Sequence, residues 1–394
     1  MKRALFFEIL PRLEHKNAIV ICGMRQVGKT TLMKMLYDVA KGNKLWFDFD
    51  NPLDQMIFEA LDYNQIYHDL KKQAALQDGE RLFVFIDEIQ NFPVITRIIK
   101  YLIDHYQVKF IVTGSSNFYL RNLFPESLSG RKFLYQLHPL TFNEFLYFSG
   151  VIPENGIINQ PASGIFEKHT RTDYEKRSRY YDEFIEYGGF PEVALTKDSN
   201  TKDLVLKNIF ASFFEKDIKI FTELKDVREL RDLILLLAPR NGSMMDISKI
   251  ASELGINRVK TYSYLEFLQG IFFLKLIPKY SKSIDKSVAA GKKIYFSDTG
   301  ILNRVAKVTE GQLFETAVCN QLSHYAHLAY YNKRNTAEID FILDQETALE
   351  VKQKADQNDI AKLNKLAGSL GITNCYTISR KFTDLEGVIF PQFI

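Results

Sequence analysis

"GMRQVGKT", residues 23–30, stands directly after the apolar run "NAIVIC" (17–22) and before a helical stretch. It fits the spacing G-x-x-x-x-G-K-[ST] in full. The chemistry of phosphate binding requires these residue types in this order. Gly23 and Gly28 let the backbone curl, so that the N–H groups of Met24, Arg25, Gln26 and Val27 face a phosphate chain at the positive end of the following helix. Lys29 reaches the β- and γ-phosphates. The Thr30 hydroxyl, with Thr31 beside it, is placed to ligate Mg²⁺. The stretch predicts a strand–loop–helix unit that binds ATP with Mg²⁺.

Working outward, short apolar runs alternate with helical stretches up to about residue 137, which predicts a parallel sheet with crossover helices. The strand candidates are 17–22, "KLWFDF" (44–49), "RLFVFID" (81–87), "KFIVTG" (109–114) and "KFLYQL" (132–137). Continuous apolar runs suit strands covered on both faces. The strand "LFVFIDEIQ" ends in the acids that such a site needs: Asp87 to hold Mg²⁺ and Glu88 to polarise the attacking water. "IVTGSSN" (111–117) ends the next strand in small polar residues, and Ser115, Ser116 or Asn117 is placed to sense the γ-phosphate. Charge developing on that phosphoryl group wants a cation. Arg25, Arg121 and Arg131 are candidates, and Arg131 is favoured because it precedes the last sheet strand near a neighbour-facing edge.

The bulk numbers limit the alternatives. A chain of 394 residues exceeds one ordinary core, which predicts two or three domains. A net charge of +3 gives no global field toward nucleic acid, so any such role rests on local patches. Cys22, Cys319 and Cys375 show neither CxxC nor zinc spacing. "MKRALFFEILPRLEHK" begins basic then apolar, but Glu8, Pro11 and Arg12 cut the run short. No other apolar run approaches a membrane span, and the expected location is cytoplasmic.

Beyond the sheet, "HPLTFNEFLYF" reads as helical, "SGVIPENGIINQPASG" (149–164) as a loop, and the segments around "YGGFPEV" (187–193) as a helical subdomain. "MDISKIASELG" and "INRVKTYSYLEFLQG" form a helix–turn–helix rhythm followed by the strand "IFFLKLIPKY", the outline of a winged helix. The segment 275–293 carries six lysines against one acid and reads as a basic wing. On the second helix Arg258 and Lys260 are candidates for DNA contact.

The motifs "GMRQVGKTTL", "FIDEIQ", "TGSSN", "LSGR", "PLTFNEFL" and "YGGFPEV", in this order, resemble the archaeal-type AAA-class ATPases related to STAND ATPases. The resemblance spans nearly the whole chain. It implies an α/β fold: a P-loop NTPase parallel-sheet domain (1–145), a helical subdomain (146–240), a winged helix (241–294) and a C-terminal α/β endonuclease-like domain (295–394). It also implies that Gly23, Gly28, Lys29, Thr30, Asp87 and Glu88 form the ATP·Mg²⁺ site, with Ser116 or Asn117 as sensor and Arg131 as an arginine finger, a role that suits a homo-oligomer.

The C-terminal block holds "AEIDFILDQETALEVKQK" (337–354). Alternation places Glu338 and Asp340 on one strand face, and Glu350 and Lys352 on one face of the next. Pairing about a turn centred on Gln345 sets Asp340 opposite Glu350 and Glu338 opposite Lys352. Two carboxylates across a rung repel unless a cation joins them. Mg²⁺ on Asp340 and Glu350, with Glu315 from the preceding helix and Lys352 beside the water, is a layout for phosphodiester hydrolysis. It resembles the D…(D/E)xK signature of restriction-endonuclease-like nucleases. The expected protein is thus an ATPase that controls engagement of DNA, with or without cutting. The rival is an ATP/ADP switch whose silent C-terminal domain binds a protein partner.

Overall fold

The computed structural model describes residues 1–77, 79–114, 130–158, 166–216, 224–283, 290–333 and 336–394. Two compact units divide the chain: Met1–His138 with Gly270–Phe272, and Pro139–Gln269 with Phe273–Ile394.

The first unit is built on five parallel strands: β1 (Ala18–Cys22), β2 (Asn43–Asp48), β3 (Leu82–Asp87), β4 (Lys109–Gly114) and β5 (Lys132–Gln136). Their order is β2-β3-β4-β1-β5, so β4 lies between the strand that leads into the phosphate loop and the strand that ends in Asp87. β1, β3 and β4 are buried along their whole length, as their unbroken apolar runs require. Helices α1 (Ala4–Ile9), α2 (Lys29–Val39), α3 (Tyr63–Gln73) and α4 (Ile95–Tyr106) accompany the sheet. All five expected strands are present, each within a residue of its expected ends.

The second unit opens with α5 (Phe142–Phe148), started by a capping box in which Thr141 and Glu144 satisfy each other's backbone N–H groups. An expected boundary after residue 145 therefore falls inside a helix. Next come α6 (Arg171–Tyr187), α7 (Pro191–Leu195), α8 (Ser199–Lys216) and α9 (Leu224–Leu237). The helix–turn–helix is α10 (Ile247–Leu254) and α11 (Arg258–Gly270), with Gly255 in the left-handed conformation at the end of α10. A two-stranded antiparallel hairpin follows, β6 (Leu274–Ile277) with β7 (Lys293–Phe296). In the sequence the strand β7 is hidden behind the lysine run, and it crosses the boundary expected after residue 294.

Helix α12 (Thr299–Val305) is locked to the end of α6. The buried Asp298 carboxylate accepts N–H bonds from Gly189 at 2.8 Å and Ile301 at 2.9 Å. A Cβ on Gly300 would stand 2.1 Å from the Tyr187 carbonyl oxygen. This close crossing accounts for the "YGGFPEV" stretch: its glycines admit the Asp298 turn.

The chain closes with α13 (Glu310–Leu322), β8 (Leu328–Lys333), β9 (Ala337–Leu343), β10 (Thr347–Lys352), α14 (Gln357–Leu370), β11 (Asn374–Ser379) and β12 (Val388–Ile389). The sheet order is β12-β11-β10-β9-β8, with β8, β9 and β10 antiparallel neighbours and β11 parallel to β10. Leu343 pairs with Thr347 and Phe341 with Leu349, the register expected from a turn at Gln345. Strict alternation fails one step away. Ala329 pairs with Ile342 but Tyr331 with Ile339, so one residue of β8, Tyr330, faces two of β9, Asp340 and Phe341. Ile339 and Ile342 accordingly join the same buried cluster, with Leu363 and Ala367 of α14. The extra residue is a β-bulge at Asp340–Phe341. No helix among the described residues is long and apolar enough to cross a membrane.

Candidate functional site

The phosphate loop runs from the carboxyl end of β1 into the first turn of α2. Gly23 has φ 154° and a Cβ there would meet the Leu137 carbonyl oxygen at 2.1 Å, so only glycine fits. Gly28 (φ 96°) and Gln26 (φ 62°) also take left-handed backbone. Arg25 is half-buried, while Gln26 and Thr31 are exposed. Lys29 is buried, and its Nζ donates to the carbonyls of Gly23 at 3.1 Å and Met24 at 2.8 Å. Its charge is thus held by backbone dipoles of the loop itself.

The two acids lie where the sheet order sends them. Asp87 is buried; its Oδ2 accepts the Thr30 hydroxyl at 2.7 Å, and Oδ1 accepts the Thr113 hydroxyl. Burial pushes the Asp87 carboxyl upward, against the downward pull of the Thr113 and Thr30 hydroxyls. Glu88 has φ 54° at the strand end; its N–H donates to Thr113 Oγ1 at 3.2 Å, and its side chain accepts from Gln90. Thr113 therefore bridges both acids. Sequence reading misses Thr113 in this place, although the hydroxyl at the end of "FIVT" is a visible signal. Ser115, Ser116, Asn117 and Arg121 lie outside the described residues.

Arg131 stands elsewhere. It precedes β5, its carbonyl accepts the N–H of Ala18 at the start of β1, and its guanidinium pairs with Asp104 at 2.6 Å. In a parallel sheet that is the end of the strands opposite the phosphate loop, five strand residues or roughly 16 Å away. Arg131 thus lies away from its own chain's phosphate loop, and the arginine-finger expectation concerns the nucleotide of a neighbouring chain.

The C-terminal acids do converge, with partners that spacing does not reveal. Asp340, released by the bulge, accepts the Val351 N–H at 2.8 Å across the diverging end of β9 and β10. Lys352 Nζ bonds Glu350 at 2.7 Å. Lys293, buried on β7, is ion-paired to Glu338 and lies 3.5 Å from Glu315, whose carboxylate also accepts the Tyr295 hydroxyl at 2.6 Å. Glu338 thus meets Lys293 and Asn332 instead of the expected Lys352. Burial, then the nearby Asp340 charge, pushes Glu315 and Glu350 up to about 7, and burial raises Asp340 too. Burial opposes the charge of Lys293, but Glu315, Asp340 and Glu338 outweigh it and raise its pKa.

On the helix–turn–helix, Lys260 is committed to Asp226 and Glu229 of α9, at 2.6 Å each. The exposed face of α11 carries Arg258, Val259, Tyr262 and Ser263. Lys260, expected to contact DNA, is thus ion-paired within the protein.

The sheet order, the phosphate loop and the Thr30–Asp87 pair define the first unit as a P-loop nucleotide-binding fold. Residues 15–146 match the family model of an AAA domain. Residues 178–312 and 310–387 match two models described as domains of unknown function, DUF8612 and DUF4143. Among relatives, an uncharacterized protein of Haemophilus influenzae is 27% identical over 362 residues, covering 86% of this chain and 84% of that one. An uncharacterized protein of Methanocaldococcus jannaschii is 25% identical over 334 residues, covering 82% and 71%. Among solved structures, a Walker-type ATPase of Pyrococcus abyssi aligns at 14% identity with a TM-score of 0.48, covering 76% of this chain and 94% of that one. The RuvB Holliday junction branch migration motor of Thermotoga maritima aligns at 17% identity with a TM-score of 0.30, covering 69% and 86%.

Proposed function

We propose that the protein is a Mg²⁺-dependent ATPase whose nucleotide state controls engagement of nucleic acid by its second unit. The observation that carries the first half is the Thr30–Asp87 hydrogen bond at the start of α2. A hydroxyl and a carboxylate in contact beside the phosphate loop are the donors Mg²⁺ takes in such a site, and these residues fit it. Bound there, Mg²⁺ would neutralise charge on the phosphate oxygens. Lys29 exchanges two carbonyl partners for phosphate oxygens, at little net cost in hydrogen bonds. Thr113 orients Asp87 and the Glu88 backbone together, and Glu88 polarises the attacking water. Phosphate release from ATP with Mg²⁺ tests this: the wild type should turn over and Lys29→Ala should not. An unchanged rate in Lys29→Ala would overturn the assignment.

The C-terminal half of the proposal rests on the α13–β8–β9–β10–α14–β11 order, with Glu315 on the helix and Asp340, Glu350 and Lys352 at the diverging strand ends, an endonuclease-like layout. The carboxylates are oxygen donors of the right chemistry, but lysines already partner Glu315, Glu338 and Glu350. Among the described residues no three His, Cys, Asp or Glu side chains group as a metal site. Lys293 and Lys352 hold these charges, and that pairing weighs against a cutting step. A domain that does not cut fits both nucleic-acid engagement and the second reading, a catalytically silent domain that binds a protein partner. Plasmid and single-stranded DNA incubated with Mg²⁺ or Mn²⁺ and ATP separate the two. Cutting lost in Asp340→Ala and Lys352→Ala would establish a nuclease. Stimulation of ATP turnover by DNA without cutting would establish nucleic-acid engagement alone, and neither would favour a protein partner.

A further inference from the structure

The phosphate loop is tied at two separate points to the end of β5. At its start, Gly23 packs directly on the Leu137 carbonyl, and the Leu137 N–H donates to the Cys22 carbonyl at 2.7 Å. Near its other end, the Arg3 guanidinium donates through Nη1 to the Val27 carbonyl at 2.9 Å and through Nη2 to the His138 carbonyl at 2.8 Å. Arg3 is only 5% exposed, and α1 behind it is seated by buried Phe6 and Ile9. Leu137 and His138 are the last residues before the chain enters the second unit at Pro139.

A buried guanidinium is costly unless its donors are met, and here one rigid fork meets acceptors on two different elements. Anchoring α1 does not require this, since Phe6 and Ile9 already seat it. The chosen acceptor has a consequence for the loop. In a planar trans peptide the carbonyl of Val27 and the N–H of Gly28 point in opposite directions. Fixing the carbonyl on Arg3 therefore fixes the direction of a loop N–H offered to phosphate.

We propose that Arg3 is a positioning residue of the nucleotide site, setting the curvature of the phosphate loop through Val27 and passing its movement on phosphate binding to His138 at the boundary of the units. The inference rests on the ATPase reading above. Its test compares wild type, Arg3→Ala, Arg3→Lys and Arg3→Gln for MgATP affinity, kcat and KM. Hydrogen exchange at the Leu137 and Leu140 amides is followed with and without MgATP. Loss of the fork should weaken MgATP binding about tenfold, and Arg3→Lys should recover part of it. The nucleotide-dependent change in exchange should vanish in Arg3→Ala. If melting temperature falls while affinity and the exchange response stay at wild-type values, Arg3 is only an anchor and the proposal fails. Should Arg3→Ala not fold, the lysine and glutamine variants, each keeping a donor, decide by the same readouts. Lys29→Ala is the control: if it too binds MgATP normally, the ATPase reading fails, whereas normal binding in the Arg3 variants alone sinks only this inference.

Discussion

The phosphate loop and the C-terminal acid centre both gather lysines and carboxylates at strand ends, yet they satisfy those charges differently. In the first, Lys29 donates to two backbone carbonyls and Asp87 accepts two hydroxyls. In the second, Lys293 and Lys352 pair directly with Glu315, Glu338 and Glu350. Carbonyl and hydroxyl partners can be exchanged for phosphate oxygens or a cation without stranding a charge. An ion pair cannot be opened without leaving a partly buried charge behind. The first arrangement is poised for a ligand and the second for cohesion.

The largest expected effect tests the loop side of this comparison. Lys29→Ala should lower the rate of phosphate release by about a hundredfold or more, the scale of losing a charge-stabilising donor. Next, Gly23→Ala should force the loop off the Leu137 carbonyl, costing about 3 kcal/mol in denaturant unfolding together with nucleotide affinity. Equal stability would show that the loop can move aside. On the acid side, Lys293→Met should cost about 2 kcal/mol, below the value for a fully buried pair because Glu338 is 40% exposed. A neutral result would sink the view that this lysine holds the centre together.

The pH dependence sharpens the contrast. Burial raises the Glu315 and Glu350 carboxyls above their unfolded values, so the native state binds more protons over a window from the usual carboxylate range toward neutral pH. Their contribution to stability is therefore full below that window and falls as pH rises through it. Melting curves from pH 5 to 8 should show the decline, and Glu315→Gln with Glu350→Gln should flatten it. The smallest effect belongs to Arg131→Ala. It breaks an exposed pair with Asp104, worth about 0–1 kcal/mol, and should leave single-turnover hydrolysis by a monomer unchanged.

Legibility follows the range of the interactions. The five sheet strands, the phosphate loop, Asp87 and Glu88 are readable because each is specified within a few neighbouring residues. The hairpin register about Gln345 is readable for the same reason. The bulge at Asp340 is not, because it arises from pairing with β8, and period-2 alternation assumes it away. Lys293 reads as one of a wing of lysines, since no local feature separates it from Lys292. Arg3 is hidden in a stretch resembling the start of a signal peptide.

The sequence by itself determined the strand–loop–helix junction of residues 23–30, since its glycines, lysine and hydroxyl act through local backbone geometry. Only the tertiary structure decided which charges neutralise which. Arg3 reaches Val27 and His138, Arg131 faces Asp104 at the far end of the strands, and Lys293 enters the acids of another sheet. The physical reason is that an ion pair depends on distance in space, which chain order does not encode until the strands and helices have packed.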